Sequence, residues 1–151
     1  NPKPVDTATL RDELSETANL LAPSREVTVT VQGGAELRLD HGIFLTVAEN
    51  LIGNAARFAR GRLEICLQTT CTSDESRLIL TVSDDGAGFP PELLESGPKP
   101  FGRKEEDAVH FGMGLYSSQM LCVKHGGGLS LKNRADGGAV VTAVFGIGRC
   151  E

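Results

Sequence analysis

Residues 50–58 have the sequence NLIGNAARF and form the second half of a segment with helical periodicity that runs from Asp40 to about Ala59. An aspartate is a suitable N-cap for this helix, and a glycine just past its end, Gly61, favours termination. Four apolar side chains share one arc of the helix and predict that this arc packs on a sheet: Phe44, Leu51, Ala55 and Phe58.

A polar stripe borders this apolar arc. At 100° per residue, Asn50, Asn54 and Arg57 fall within an arc of about 60°. Two asparagines one turn apart are unfavourable in a helix interior, because their short side chains compete with the backbone for hydrogen bonds. A solvated helix edge would explain the stripe. Amide oxygens are also suitable ligands for Mg²⁺, which shares its remaining coordination sites with substrate phosphates.

Outward from this helix, alternating apolar residues and turn signals predict three pairs of strands and two more helices. Strands that arrive in pairs between helices predict an α+β two-layer sandwich, in which a mixed, mostly antiparallel sheet of about five strands is covered on one face by three helices. The predicted elements are a helix from Asp6 or Thr7 to about Leu21, a hairpin of 27–31 with 37–39, strands 62–70 and 77–83, a helix 115–124, and a closing hairpin of 129–133 with 139–145.

Bulk composition favours one soluble domain. The length of 151 residues suits a single core over 1–151, and a net charge of −5 argues against nucleic acid as a partner. The four cysteines lack metal-binding spacing and predict a reduced, cytoplasmic chain. No apolar run is long enough for a membrane span or a signal peptide. Residues 1–5, NPKPV, are expected to be a linker from an upstream segment.

Two glycine motifs lie on either side of a long irregular stretch. Residues 84–88, DDGAG, follow an apolar strand; their glycines would let the backbone approach a flat ligand, and the first carboxylate could accept from an exocyclic amine. Residues 112–115, GMGL, open a helix whose N–H groups favour a phosphate oxygen. An ordinary turn and a hinge are the respective alternatives. The intervening residues 89–111 predict a flexible lid.

In this order the motifs resemble those of the GHKL nucleotide-binding superfamily, which includes gyrase, Hsp90-type chaperones, histidine kinases and MutL. The resemblance covers nearly the whole chain and implies the Bergerat fold. Residues 50–58 resemble the N box, 84–88 the G1 box, 99–103 (KPFGR) the F box and 112–115 the G2 box, and the glycine pairs 126–127 and 137–138 also fit.

The resemblance implies ATP or ADP and Mg²⁺ as cofactors and a role for each matching residue. Asn54 would coordinate Mg²⁺, Asn50 would help to hold the metal and the phosphates, and Arg57 would neutralise phosphate charge. Asp84 would bind the adenine amine. The remaining implied nucleotide contacts are Phe58 on the helix, Gly86 and Gly88 in the base pocket, Gly112, Met113, Gly114 and Leu115 at the phosphates, and the lid residues Phe101, Arg103 and Lys104.

One position favours the histidine kinase branch. ATP-hydrolysing members have a glutamate where Asn50 stands, and that carboxylate orients and deprotonates water, which an amide cannot do. Glu49 lies about 100° round the helix and is expected to face solvent. Neutral imidazole is a competent nucleophile near pH 7. The resemblance therefore implies transfer of the γ-phosphoryl group of Mg·ATP to a histidine in two-component signal transduction.

The acceptor histidine is expected on dimerisation helices upstream of residue 1, because His41, His110 and His125 do not resemble a phosphoacceptor site. This domain alone should then bind ATP without phosphorylating itself. A response regulator receiver domain is the implied partner, and the domain is expected to be monomeric and cytoplasmic within a dimeric, membrane-anchored sensor kinase.

Two alternatives stay open. One is a GHKL module that binds nucleotide only to regulate a partner, and the other is an anti-sigma-type serine kinase, against which Asn50 counts. Two positions depart from the family pattern, since His110 replaces a glycine and Ala139 a threonine.

Overall fold

The computed structural model describes residues 2–33, 36–72, 75–98 and 112–147. These residues contain four helices and seven strands. In chain order they are β1 Lys3–Asp6, α1 Thr7–Leu21, β2 Glu26–Gln32, β3 Glu36–Leu39, α2 His41–Phe58, β4 Arg62–Cys71, β5 Ser76–Asp84, α3 Pro91–Ser96, α4 Gly112–Lys124, β6 Gly128–Asn133 and β7 Ala139–Ile147.

The main sheet has five strands in the order β2-β4-β5-β7-β6, and β1 and β3 form a separate pair. β2 is parallel to β4, whereas the other neighbours in the main sheet are antiparallel. Along β4, Leu63, Ile65 and Leu67 are buried and alternate with more exposed residues, which is the pattern of a sheet covered on one face. The predicted α+β sandwich with a mixed sheet is therefore confirmed.

The predicted hairpin of 27–31 with 37–39 is wrong, although both segments are strands. Val29 lies opposite Ile65 in the main sheet, and Leu37 lies opposite Val5 in the small sheet. The error follows from assigning residues 1–5 to a linker, which left 37–39 with no other partner. From Lys3 onward that stretch is β1, and the pairing with β3 buries Val5. Proline is tolerated there because an edge strand leaves some N–H positions unpaired.

The predicted long helices are confirmed, with their caps. Asp6 accepts a hydrogen bond from the N–H of Ala8 at 2.9 Å, and Asp40 accepts one from the N–H of Ile43 at 3.2 Å. Helix α4 begins at Gly112 rather than at the predicted residue 115. A fourth helix, α3, lies inside the stretch predicted to be irregular; Pro91 occupies its first turn, where a missing N–H costs nothing.

The core lies between the sheet and helices α1, α2 and α4. Phe44 of α2 and Phe145 of β7 are almost fully buried, with ring centroids 5.6 Å apart and planes inclined at 54°. Tilted aromatic pairs of this kind add to the stability that their buried area provides. The contact ties α2 to β7, the second strand of the sheet counted from the β6 edge, so it helps to fix the position of α2 over the sheet.

Cys66 and Cys122 are free thiols, but Cys71 is disulfide-bonded. The expectation of a fully reduced chain is therefore wrong at Cys71, because spacing along the sequence does not show which sulfurs meet in the fold. Burial raises the pKa of the Cys122 thiol to about 11.

Across the described part of the chain, no helix combines the length and apolar character that crossing a bilayer requires.

Replacing Phe44 with alanine should lower the free energy of unfolding by about 3–5 kcal/mol, because a buried aromatic ring is removed and its cavity fills only partly. Leu20→Ala is the matched control, since Leu20 is 81% exposed, and it should change stability by less than about 0.5 kcal/mol. Urea unfolding followed by circular dichroism measures both. Equal losses in the two variants would contradict the packing described here.

Candidate functional site

The polar edge of α2 faces the start of α4. Asn50 is half-buried, and its Nδ2 donates a hydrogen bond to Oγ of Ser118 at 3.1 Å. Gly114, one turn before Ser118, also lies against Asn50: a Cβ placed there would be 3.5 Å from the Asn50 Cγ. Two of the motifs from the sequence, the asparagine stripe and the glycine-rich helix start, are therefore in contact.

Asn54 and Arg57 continue this edge toward the end of α2. Asn54 is half-buried and Arg57 is exposed, with its guanidinium carbon 5.4 Å from the centroid of the Phe58 ring. Phe58 is only half-buried, so it packs less deeply on the sheet than expected. Glu49 is exposed, as predicted. The helix thus carries two amides and one cation along an edge that a ligand can reach.

Asp84 lies at the end of β5 and is only 4% exposed. Its Oδ1 accepts hydrogen bonds from the N–H groups of Gly86 at 2.8 Å and Ala139 at 3.4 Å. Burial raises the pKa of this carboxyl, and the two backbone bonds offset part of that effect. Among the described residues, both bonds end on Oδ1, which leaves Oδ2 as the oxygen suited to an amine of a ligand.

The loop after Asp84 lies on the carboxyl end of α2. A Cβ at Gly86 would come within 2.1 Å of the carbonyl oxygen of Phe58, so only glycine fits this approach. Gly88 has a φ of +86°, and Asn133 packs beside it. The Asn133 amide accepts from the N–H of Phe89 at 2.7 Å and donates to its carbonyl at 3.0 Å. The loop is therefore held by both α2 and β6.

Asp85 ties the same loop to residues 60–62, the segment that follows α2, and the sequence does not predict this contact. Its Oδ1 accepts from the N–H groups of Arg60, Gly61 and Arg62 at 2.8, 3.0 and 3.2 Å. The bond from Gly61, followed by the others, lowers the pKa of Asp85 to about 2. An aspartate after a strand suits any turn, so no local signal distinguishes this one.

Of the remaining residues that the sequence singled out, some lie in the described part of the chain and others lie outside it. Gly112 and Met113 lie in the first turn of α4, and Leu115 is buried in the core. Ala139 is buried, and its N–H is the group that contacts Asp84. Four predictions lie outside the described residues and stay predictions: Phe101, Arg103, Lys104 and His110.

The donor set on α2 fits a hard cation. Amide oxygens together with water and phosphate are ligands that Mg²⁺ accepts, whereas transition metals favour histidine and cysteine. In the ranges 2–33, 36–72, 75–98 and 112–147 no group of three or more His, Cys, Asp or Glu residues could hold a metal. Two amide side chains on one helix edge, with the remaining coordination sites left to water and phosphate, fit Mg²⁺ carried on a phosphate ligand.

The chain matches known proteins along most of its length. Residues 39–148 match the sequence model of the family described as histidine kinase-, DNA gyrase B-, and HSP90-like ATPase. The chain is 30% identical over 116 residues to the sensor protein kinase PilS of Pseudomonas aeruginosa, covering 75% of this chain and 22% of PilS. It is 31% identical over 144 residues to the sensor histidine kinase ZraS of Salmonella typhimurium, covering 91% and 30%.

Solved structures show the same fold. Full-length ShkA, crystallised with AMPPNP, superposes with a TM-score of 0.78 at 21% identity, over 99% of this chain and 32% of ShkA. The ATP-binding domain of PrrB from Mycobacterium tuberculosis gives a TM-score of 0.71 at 19% identity, over 97% of both chains. The chain thus spans less than a third of the length of the two kinase sequences and about the whole of a solved single domain.

Replacing Asp85 with alanine should destabilise the domain above about pH 4 and make little difference as the pH falls toward about 2. The folded-state pKa is lowered to about 2, against about 3.9 in the unfolded chain, so this carboxylate stabilises the fold only while it is ionised. Urea unfolding from pH 2 to pH 7 gives the difference between variant and wild type. Asp85→Asn keeps a hydrogen-bond acceptor that does not titrate, so its free energy of unfolding at pH 7 should lie between those of wild type and Asp85→Ala. If the free energy of unfolding changed with pH in the same way in all three proteins, Asp85 would not have this role.

Proposed function

We propose a function from one premise: the chain belongs to the family of histidine kinase-, DNA gyrase B- and HSP90-like ATPases. The function is that of the ATP-binding catalytic domain of a sensor histidine kinase, which holds Mg·ATP and passes the γ-phosphoryl group to a histidine on a dimerisation domain. The curated relatives that carry this domain are sensor kinases much longer than the chain. The phosphoryl transfer, the acceptor histidine and the partner domains are therefore proposals for this chain.

The contact of Asn50 with α4 is the observation that carries the proposal. It brings the Asn50 amide of α2 beside the Gly114 backbone of α4, so that a group suited to a metal lies near N–H groups suited to phosphate oxygens. At the far end of α2, Gly86 packs on the Phe58 carbonyl and brings Asp84 to the same helix. A nucleotide likewise has its base at one end and its phosphates at the other, so it could lie along α2 with the base near Asp84 and the phosphates near Asn50.

Different residues of the chain are proposed to bind the base, the metal and the phosphates. Asp84 accepts from the exocyclic amine of adenine through Oδ2, in a buried position where water competes poorly. Asn54, with Asn50, supplies amide oxygens for Mg²⁺, and Arg57 adds a positive charge. When bound, Mg²⁺ neutralises charge on the phosphate oxygens. Positioning and charge neutralisation, rather than proton transfer by α2, are what this edge provides.

The absence of a base on this edge favours a histidine acceptor over water. Asn50 stands where hydrolysing relatives have glutamate, and its amide cannot take a proton. Glu49 is exposed and lies on another arc of the helix. A neutral imidazole needs no deprotonation before it attacks phosphorus. The acceptor is proposed to lie on upstream dimerisation helices, and a receiver domain to take the phosphoryl group next.

The test joins the domain to its native upstream helices and supplies γ-labelled ATP. An acid-labile, base-stable label on a histidine supports the proposal, and the same protein with Asn54→Ala should remain unlabelled. ATP binding without any phosphohistidine would instead identify a regulatory nucleotide-binding module. A label on serine would identify a serine kinase, and steady release of phosphate by the domain alone would identify an ATPase.

Asn54→Ala should weaken ATP binding at least tenfold in the presence of Mg²⁺ and change it little in EDTA, because it removes a metal ligand rather than a contact with the base. Isothermal titration calorimetry with and without Mg²⁺ measures both affinities. Asn19→Ala is the matched control, since Asn19 is an exposed asparagine on α1. Equal ATP affinity in wild type and Asn54→Ala would exclude Asn54 as the ligand.

Asp84→Asn should lower the preference for ATP over GTP by about tenfold or more, because a hydrogen bond from the adenine amine to a charged acceptor is lost. The amide oxygen can still accept from Gly86 and Ala139, so the loop should keep its shape. Competition between ATP and GTP for a fluorescent nucleotide measures the preference. Asp136→Asn is the control, since the Asp136 side chain is 74% exposed; an unchanged preference in Asp84→Asn would contradict the assignment.

A further inference from the structure

Ser118 is the polar side chain that connects α4 to the candidate site. It is fully buried, with 0% exposure, on a helix whose neighbouring buried residues Leu115 and Cys122 belong to the core. Its Oγ accepts a hydrogen bond from Nδ2 of Asn50 at 3.1 Å. A buried hydroxyl needs a partner, and here the partner is a residue of the nucleotide site on another helix.

In the structure this bond orients the Asn50 amide with its Nδ2 toward Ser118. An asparagine amide has one oxygen that can coordinate a cation and one NH₂ group that cannot. Because Nδ2 is engaged by Ser118, Oδ1 is the atom left for a metal or its bound water. The Ser118 hydroxyl could also donate to Oδ1 of a turned amide, but that amide would offer Mg²⁺ its NH₂ group, which repels a cation. A bound metal therefore favours the orientation that the structure shows, in which Ser118 accepts from Nδ2.

Gly114 packs against the same amide. It lies one turn before Ser118 on α4, and a Cβ at this position would stand 3.5–3.6 Å from Cγ, Cβ and Oδ1 of Asn50. The amide is therefore packed along the α4 backbone at one point and hydrogen-bonded to α4 at the next. With both contacts present, Asn50 has less rotational freedom to lose when a ligand binds.

We propose that Ser118 is a positioning residue of the nucleotide site, which holds the Asn50 amide with its oxygen toward the magnesium-bound phosphates. The inference rests on the proposed function, because it requires that Mg·nucleotide binds at this edge. Ser118 does not touch the nucleotide and acts only through Asn50. The role is specific to the phosphate end of the site, since Asp84 and its loop contact neither Ser118 nor Asn50 through any hydrogen bond among the described residues.

Ser118→Ala tests the role with the smallest change, the loss of one oxygen. Mg·ADP binding should weaken about fivefold to tenfold, adenosine binding should stay within about twofold of wild type, and the melting temperature of the unligated domain should change little. Ser118→Cys keeps a weaker acceptor and should lose less affinity. Ser130→Ala is the matched control, because Ser130 is an exposed serine on β6, and it should bind both ligands as wild type does.

A double-mutant cycle with Asn50→Ala separates positioning from general packing. If Ser118 acts only through Asn50, Ser118→Ala should cause no further loss of Mg·ADP affinity in the Asn50→Ala background. The same fold loss in both backgrounds, or an equal loss for adenosine, would overturn the inference. Absence of Mg-dependent ADP binding by the wild-type domain would overturn the proposed function itself. All affinities are measured by calorimetry on the same chain.

Discussion

The position of α2 over the sheet is the constraint on which the rest of the molecule depends. This helix buries one face, through Phe44, Leu51 and Ala55, and that burial fixes which edge of the helix borders the sheet. Because side chains at i, i+4 and i+7 lie on one arc, Asn50, Asn54 and Arg57 follow the buried face along the second half of α2. The apolar contact with the sheet therefore places the polar edge, although no polar residue takes part in it.

Both ends of the candidate site are attached to this helix. Toward its middle, Asn50 contacts Gly114 and Ser118 of α4, and at its carboxyl end the Phe58 carbonyl receives Gly86. The glycines matter because backbone, not side chain, has to approach at each contact. A shift of α2 along the sheet would change the distance from the amides to Asp84, so the span available to a nucleotide is set by helix packing.

Two adjacent carboxyl groups at the candidate site, Asp84 and Asp85, differ in burial and in pKa. The chain carries a net charge of −5, and the carboxyl that faces the candidate base pocket is buried with its pKa raised. The neighbouring carboxyl, Asp85, is turned away to three backbone N–H groups and stays ionised to about pH 2. Adjacent aspartates thus have different surroundings: Asp84 is buried at the end of β5, and Asp85 fixes the loop that follows it.

The sequence by itself determined the three long helices, the caps of α1 and α2, six of the seven strand segments and the order of the three motifs, whereas β1 and α3 were not predicted. These features have periods or end signals contained within about ten residues, where backbone geometry alone decides them. It also placed Asn50, Asn54 and Arg57 on one edge, which the structure confirms. Only the tertiary structure decided the partner of β3, the three bonds to Asp85 and the bond from Asn50 to Ser118. Each joins groups far apart in the chain, and such a contact depends on how whole elements pack, which leaves no local pattern to recognise.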